Sequence, residues 1–295
     1  MNPPADSPQP VRGVLYYIGA LLMFAWLDAT TKVLTAHYPV PLVAAVRYGT
    51  QLTLMMALLP RPRRTHLTST RPGLVAARSV CLVIVTLFMG LALSRLPLAE
   101  ATSIVFIAPL LVALLSGPLL GERLSTGRWL AVIGGFLGVL LIIRPGGQLD
   151  VLGVLFALLA ALCNAAYQLL SRVLNTEKTV NLLYHSALAG AVVFTMIVPF
   201  TFGGPPPSLF TALLLLSLGV SGGLGHYLFT LAFRDAPASQ LAPLTYMQLL
   251  WAGVIGLMVF GQLPDAVSLI GMLIIAVSGI SVAIRRPGPV LADNS

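Results

Sequence analysis

Ionisable side chains interrupt the apolar stretches of this chain at only a few positions. Asp28 and Lys32 lie four residues apart in the first stretch, which places them on one face of a helix. Arg47 enters the second stretch and Glu100 begins the fourth, and we expect both at the same end of the molecule as Lys32. Charged groups inside a membrane usually face the protein interior or a water-filled cavity. These residues therefore predict a gate or a proton site, or else a structural ion network.

The two interpretations do not suit the four residues equally. For Lys32 and Arg47 we favour the structural network, which would fix the first two helices near one interface of the bilayer. Asp28 lies deeper in its stretch, so both interpretations stay open there. Arg78 lies about one turn inside the third stretch. It could reach lipid headgroups or meet a carboxylate at a cavity mouth, and we favour the headgroups.

A second set of polar and aromatic residues suits a small-molecule site. Asn164, Tyr167 and Gln168 share one helical face, because their spacings are three and four. The other candidates come from four further stretches: Trp26, Phe106, His226, Tyr227, Thr245, Tyr246 and Gln248. Taken singly, each polar group is better explained by an interhelical hydrogen bond, worth roughly 0.6 kcal/mol in a membrane. Taken together, they predict a central cavity near the middle of the bilayer.

The elements that position these residues are membrane-spanning helices. The 295 residues are 57% hydrophobic and only 9% charged, with a mean hydropathy of +0.93. A soluble domain carries about 25% charged residues, so lipid rather than water must cover this surface. The net charge of +8 is not arranged as a nucleic-acid-binding patch. Cys81 and Cys163 lie in apolar stretches, where they act as small hydrophobes.

Ten stretches are long enough to cross the bilayer, which needs about 20 helical residues. They are 13–35, 41–60, 73–94, 98–119, 127–144, 151–173, 180–200, 209–232, 238–260 and 266–285. The first is too long for a signal-peptide core, so we expect it to be retained. The chain then divides into an N-terminal segment (1–12), two groups of five spans (13–144 and 151–285) and a C-terminal tail (286–295).

The basic residues predict the orientation. Twelve lie at the termini and in the even-numbered connections: Arg12, Arg61, Arg63, Arg64, Arg71, Arg123, Arg128, Arg172, Lys178, Arg234, Arg285 and Arg286. Three lie on the opposite side: Lys32, Arg95 and Arg144. Because basic residues accumulate on the cytoplasmic side, both termini are predicted to be cytoplasmic in a multi-pass protein of the inner membrane.

The chain also repeats itself after 140 residues. Residues 13–34 align with 153–174 at eight identities in 22. The same shift places Pro97 on Pro237, Glu100 on Gln240, Phe106 on Tyr246 and Asp28 on Gln168. Five is an odd number of spans, so the second copy enters the membrane from the other side. The predicted fold is thus an all-α integral membrane protein with ten helices in two five-helix inverted repeats, typical of secondary transporters.

Three sequence segments resemble a known superfamily. They are Lys32 followed by Pro41 and Ala45-Val46-Arg47-Tyr48; Leu96-Pro97-Leu98-Ala99-Glu100-Ala101 with Pro109 and Leu120-Gly121-Glu122-Arg123-Leu124-Ser125; and the glycines Gly134, Gly135 and Gly138. Together they resemble the drug/metabolite transporter superfamily and its EamA-type ten-helix exporters, over nearly the whole chain. Within that group the chain looks most similar to YddG-like amino-acid exporters. Gln262 departs from the pattern, since it replaces the Glu of the second-half turn.

The resemblance implies a central cavity lined mainly by helices 1, 3, 4, 6, 8 and 9, with helices 5 and 10 nearer the periphery. It also implies export of small polar metabolites, of which amino acids are our first choice. Drugs or other metabolites such as nucleosides and cofactors are the alternative, and a channel ranks below them. Transport could be facilitated diffusion, or proton exchange through Asp28 or Glu100.

Other function classes find little support. The chain has no phosphate-binding loop of the Walker type and no His-Glu-x-x-His metal motif. We therefore expect neither an enzyme nor a cofactor or metal, and rank a scaffold or receptor equally low. The expected partners are a small-molecule substrate and the lipid bilayer, with no nucleic acid, and the protein is expected to work as a monomer.

Overall fold

A computed structural model of the chain describes residues 10–58, 69–120, 126–144, 149–174, 176–201, 203–236 and 241–284. This part of the chain is almost entirely helical and contains no strand. The helices are α1 (Pro10–Thr35), α2 (Val40–Leu58), α3 (Pro72–Leu93), α4 (Leu98–Val105), α5 (Ala108–Leu120), α6 (Thr126–Ile143), α7 (Val151–Val173), α8 (Thr179–Thr201), α9 (Leu209–Asp235), α10 (Met247–Phe260) and α11 (Ala266–Ile284). A 3₁₀ turn, Ala242–Tyr246, precedes α10.

These helices form the ten predicted spans, and the span numbers are kept below. Spans 1 to 3 are α1 to α3, and spans 5 to 8 are α6 to α9. Span 4 consists of α4 and α5, span 9 of the 3₁₀ turn and α10, and span 10 of α11. Residues 1–9 and the tail 286–295, the connection 59–68 and the Gly121–Ser125 turn are outside the described residues. The side where span 1 begins is called the terminal side, and the opposite one the far side.

The described helices carry the apolar surface that a bilayer requires. By length and composition, five could cross a membrane: Val11–Thr35, Pro72–Leu93, Val151–Ser171, Thr179–Thr201 and Leu209–Phe229. The shorter apolar helices are Leu98–Val112, Trp129–Ile143, Leu244–Phe260 and Ala266–Ser281. Their outer faces expose large side chains such as Leu137, Leu216 and Val277. An apolar surface this extensive is covered by lipid, since soluble proteins rarely expose more than a few hundred Å².

The packing of the spans follows the internal repeat. A two-fold operation that exchanges each span with the one five places later maps the main contacts onto one another. Span 1 packs on span 8 as span 6 packs on span 3, and span 2 packs on span 8 as span 7 packs on span 3. Spans 2 and 7, 4 and 9, and 5 and 10 form pairs that map onto themselves. The largest buried apolar cluster joins both repeats, for example through Ile104, Leu110, Leu249 and Ile275.

Small residues allow the two repeats to approach closely at spans 5 and 10. A Cβ on Gly138 would lie 2.7 Å from the carbonyl oxygen of Gly271, and one on Gly134 would lie 2.8 Å from Ser278 Oγ. The pair Gly134 and Gly138 therefore serves packing inside the protein, as small residues at this spacing do in membrane helices.

Spans 4 and 9 are both interrupted at their repeat-related positions. Span 4 breaks at Phe106 and Ile107, just before Pro109. A proline has no N–H to donate to the carbonyl four residues earlier, so Pro109 leaves Val105 without its helical partner. In span 9 the backbone is a 3₁₀ turn that ends at Tyr246, the repeat partner of Phe106. The irregular backbone thus lies within spans 4 and 9, at positions that the two-fold operation exchanges.

A carboxylate on the terminal side ties two connections together. Glu177, between spans 6 and 7, accepts hydrogen bonds from Ser69 Oγ at 2.7 Å, from the Thr70 N–H at 2.9 Å and from Thr70 Oγ1 at 2.8 Å. The bonds from Ser69 and Thr70, with a weaker one from Asn181, lower the pKa of Glu177 to about 2. The end of the connection before span 3 is thereby held against the second repeat.

Replacing Glu177 by glutamine should lower the melting temperature near neutral pH. Because the pKa is lowered from 4.5 to about 2 in the folded protein, the stabilisation is complete above pH 4.5 and is lost as the pH falls toward 2. The difference between wild type and Glu177→Gln, measured by thermal unfolding in detergent, should therefore shrink over that window. Lys178→Gln, at the exposed neighbour, is the control. A difference that is the same at every pH would exclude this role for the carboxylate.

Candidate functional site

A cavity of about 550 Å³ lies between the two repeats. One face of span 1 forms a wall of it through Tyr17, Leu21, Phe24, Asp28 and Thr31, at alternating spacings of four and three. The other walls come from spans 2, 3, 4, 6, 8 and 9, with Gly279 of span 10. The spans that line the cavity include all those that the resemblance implied, namely spans 1, 3, 4, 6, 8 and 9. They also include span 2, whose Val40, Val43, Ala44 and Arg47 line the cavity.

Among the described residues that line the cavity, one carries a carboxylate and one carries a guanidinium group. Asp28 Oδ2 accepts a hydrogen bond from Gln248 Nε2 at 3.3 Å, which connects spans 1 and 9. Arg47 lies over the ring of Tyr48 at 5.1 Å, and its Nε is buried without a hydrogen-bond partner among the described residues. Arg47 and Asp28 interact electrostatically but do not form an ion pair within 4.0 Å. Each is thus available to an opposite charge on a bound molecule.

Several aromatic rings also line the cavity. Phe106 and Tyr246 meet edge to face, with ring centroids 5.7 Å apart, across the two-fold relation. Phe24 meets His226 in the same way at 5.0 Å. Tyr17 Oη and Thr245 Oγ1 are 2.6 Å apart and join spans 1 and 9.

Most of the predicted cavity residues lie together. Asn164, Tyr167 and Gln168 all line the cavity from span 6, as their spacing predicted. Phe106, His226, Thr245, Tyr246 and Gln248 line it from the three other predicted spans. Their role in binding a substrate is a separate matter and stays a prediction.

Two predicted cavity residues lie elsewhere. Trp26 is 44% exposed and Tyr227 is 58% exposed, and both face outward. Each residue advances a helix by about 100°. Trp26 therefore lies about 200° away from Asp28, and Tyr227 about 100° away from His226. The prediction that Trp26 and Tyr227 enter the cavity is wrong because neither shares the inward face of its span.

The favoured expectation that Arg78 reaches lipid headgroups is wrong. Its side chain is buried, and the residue is only 5% exposed. Its Nε donates to Ser171 Oγ at 2.7 Å, Nη1 donates to Ser186 Oγ at 3.1 Å, and Nη2 donates to Tyr167 Oη at 2.6 Å. A longer bond of 3.4 Å reaches the carbonyl of Leu182. The hydroxyl groups on spans 6 and 7 satisfy the guanidinium group inside the protein, so it does not snorkel.

Lys32 and Glu100 line a second space, on the far side. This vestibule has a volume of about 750 Å³, and its rim carries the ion pairs Arg95–Asp150, at 3.4 Å, and Arg144–Asp265. Lys32 Nζ donates to the carbonyls of Leu93 at 3.1 Å and Leu96 at 2.6 Å, where span 3 ends. The four ionisable residues are therefore divided between two spaces, and the expected network linking Lys32 with Arg47 is not formed.

Several lining residues were not singled out from the sequence. Tyr17 and Phe24 could have been found, because they precede Asp28 by eleven and four residues and so share its helical face. Thr86 on span 3 bonds to Tyr48 Oη at 2.6 Å and also lines the cavity, but nothing in its local sequence distinguishes it. Gly279 could not have been found either, since its importance depends on a neighbour from span 9.

Comparison with known proteins agrees with this architecture. Residues 11–144 and 151–284 each match the EamA-like transporter family. An S-adenosylmethionine uptake transporter of Rickettsia bellii is 26% identical over 264 residues, covering 89% of this chain and 90% of that protein. The pseudopaline exporter CntI of Pseudomonas aeruginosa is 27% identical over 281 residues, covering 94% and 97%. A crystal structure superposes with a TM-score of 0.66 at 22% identity, covering 92% of this chain and 96% of that one, which shows the fold alone. The two matched segments run over the two five-span repeats, and the relatives named for a function are transporters. This chain belongs to the EamA-like transporter family, within the drug/metabolite transporter superfamily.

Proposed function

We propose that this protein is a secondary transporter that exports small metabolites of the amino-acid type across the inner membrane. The observation that carries the proposal is the separated charge pair in the central cavity. Asp28 and Arg47 lie on spans 1 and 2 without forming an ion pair, and each is available to one end of a zwitterion.

Binding a zwitterion in the membrane requires compensation for its lost hydration. An ammonium or carboxylate group buried without partners costs far more than a hydrogen bond returns. Arg47 can donate to a carboxylate, while Asp28 and the carbonyl oxygen of Gln248 can accept from an ammonium group. The rings of Phe24, Phe106 and Tyr246 can pack on an apolar side chain.

The relatives support a substrate of this chemistry and leave its identity open. S-adenosylmethionine, named for the Rickettsia relative, carries the ammonium and carboxylate groups of an amino acid and a large aromatic base. A cavity of about 550 Å³ has the volume of a drug-sized site. That volume and the aromatic lining also favour our second candidate, export of a drug or another metabolite such as a nucleoside. One relative is named for uptake and the other for export, so the direction of transport rests on the resemblance to exporters.

Reconstitution tests this function. Purified protein in liposomes would be assayed for uptake of labelled amino acids, S-adenosylmethionine, nucleosides and dyes, each against protein-free liposomes. We expect saturable uptake of at least one amino-acid-type zwitterion. Uptake of nucleosides or dyes alone would favour the second candidate, and uptake of none would exclude both. A pH gradient applied to Asp28→Asn and Glu100→Gln would separate proton exchange from facilitated diffusion.

The orientation is a prediction of its own. The charge distribution predicts that the termini and the connection between spans 2 and 3 are cytoplasmic. In a protein with Cys81 and Cys163 replaced by alanine, Thr65→Cys should resist a membrane-impermeant maleimide in intact cells. Ser94→Cys, at an exposed position on the far side, should react. Labelling of Thr65→Cys from outside, with Ser94→Cys protected, would reverse the assignment.

A further inference from the structure

We infer that the transported molecule carries one net negative charge, and that Arg78 and Tyr167 select for it. The inference rests on the proposed function and narrows its substrate class. An amino-acid-type metabolite with a second anionic group would place its ammonium group at Asp28 and one carboxylate at Arg47. The additional anionic group would lie at the wall of span 6.

The formal charges around the cavity do not balance one another. Of the described side chains that line it or bond to the side chain of a lining residue, three carry a formal charge when histidine is counted as neutral: Asp28, Arg47 and Arg78. Both guanidinium groups lie within electrostatic range of His226, so both act on the same space. Two positive charges against one negative charge leave the lining of the cavity with an excess of one positive charge.

Arg78 is a buried positive charge. A guanidinium group stays protonated in proteins. All four hydrogen-bond partners of Arg78 are neutral, and no carboxylate among the described residues lies within 4.0 Å of it. A buried charge without a counter-charge is costly, and in proteins such a charge is normally paired. Because the described part of the chain provides no pair, an anion arriving in the cavity is the missing counter-charge.

Arg78 contacts the wall of the cavity through Tyr167. Arg78 Nη2 donates to Tyr167 Oη at 2.6 Å, and the guanidinium group lies 4.4 Å from the centre of the Tyr167 ring. The hydroxyl oxygen accepts from Arg78, and a tyrosine hydroxyl that accepts a hydrogen bond can still donate its own hydrogen to an acceptor. Hydrogen bonds in a chain polarise one another, so the arginine strengthens this donor. Arg78 is thus a positioning residue that acts through Tyr167, between Asn164 and Gln168 on the same wall.

The test compares substrates that differ by one charge at nearly constant size. Exchange into proteoliposomes would be measured for glutamate with glutamine, aspartate with asparagine, and glutathione with its monoethyl ester. We expect the wild type to exchange the more negative member of each pair about tenfold faster or more. The reason is that a hydrogen bond to a charged group changes affinity by about tenfold to one-hundredfold. Arg78→Gln and Tyr167→Phe should bring the ratio close to one, while Arg78→Lys should retain it. Tyr227→Phe, on the lipid-facing surface, is the control and should keep the wild-type ratio.

The outcomes separate this inference from the proposed function. Equal or faster exchange of the neutral members, or exchange of the positively charged S-adenosylmethionine without any of the anions, would overturn the net charge and leave the transporter intact. An unchanged ratio in Tyr167→Phe would overturn the role of the pair. Tyr167→Phe retains the aromatic ring, so it tests the role of the Arg78–Tyr167 pair even if Arg78→Gln fails to fold. No exchange of any amino-acid-type compound would overturn the proposed function itself.

Discussion

Arg47→Gln should reduce transport by about tenfold to one-hundredfold while leaving the folded protein intact. The side chain lines the cavity, and its Nε has no hydrogen-bond partner among the described residues, so little structure depends on it. A hydrogen bond between a charged donor and a carboxylate is worth about 1.5–3 kcal/mol, which corresponds to this range. The loss should appear mainly as weaker apparent affinity for a carboxylate-bearing substrate.

Asp28→Asn gives the complementary half of this prediction. The amide still accepts the bond from Gln248 through its oxygen, so the connection between spans 1 and 9 is preserved. An ammonium-bearing substrate should lose affinity, whereas an analogue without the amino group should not. Trp26→Phe, on the outer surface, should transport like wild type. If Asp28→Asn and Arg47→Gln both retained wild-type transport, the charged pair would have no part in binding.

Gly279→Ala should change the shape of the cavity by displacing the side chain of Tyr246. A Cβ at this position would overlap the hydroxyl group of Tyr246, so the tyrosine must leave its place opposite Phe106. Overpacking of this kind costs about 1–3 kcal/mol, and we expect a lower melting temperature together with altered substrate preference. Gly253→Ala is the matched control, because a Cβ there would meet nothing within 4 Å.

A double substitution separates crowding from a general intolerance of alanine. Tyr246 Oη is buried without a hydrogen-bond partner among the described residues, so removing it leaves no protein group unsatisfied. Tyr246→Phe combined with Gly279→Ala should therefore recover much of the stability lost in Gly279→Ala alone, as a double-mutant cycle would measure. Purely additive effects would show that Gly279 and Tyr246 do not interact.

Much of the fold could be predicted because lipid imposes simple rules on a sequence. The predicted spans fall on the observed helices, and the 140-residue shift matches the packing of the two repeats. The interruption of span 4 was predictable from Pro109, since a missing N–H is a local property. The 3₁₀ turn of span 9 contains Pro243, but its extent depends on contacts with span 10.

The cavity was predictable where helical periodicity decides which side chains face inward. Asp28 and Gln168 occupy equivalent positions in the two repeats, and both line the cavity. Residue type alone misplaces Trp26, because it takes no account of the angle between Trp26 and Asp28 on the helix. A stricter use of the 100° advance per residue would have excluded it and included Phe24.

The partners of the charged residues could not have been predicted. Arg78 is satisfied by hydroxyl groups that are 89 to 108 residues distant in the chain, and Lys32 by carbonyls at the end of span 3. Which groups meet across spans depends on helix rotation and crossing angle, which a single sequence leaves undetermined. The separation of Glu100 from the central cavity follows from the same geometry.

We propose that the two inverted repeats carry a substrate by alternating access. The most direct measurement is uptake of a labelled substrate into proteoliposomes that are preloaded with the same unlabelled compound. A carrier returns faster when it is loaded, so uptake should be faster into preloaded liposomes than into empty ones, and Arg47→Gln should weaken the stimulation. Equal uptake into preloaded and empty liposomes, accompanied by continuous ion conductance, would contradict alternating access and identify a channel.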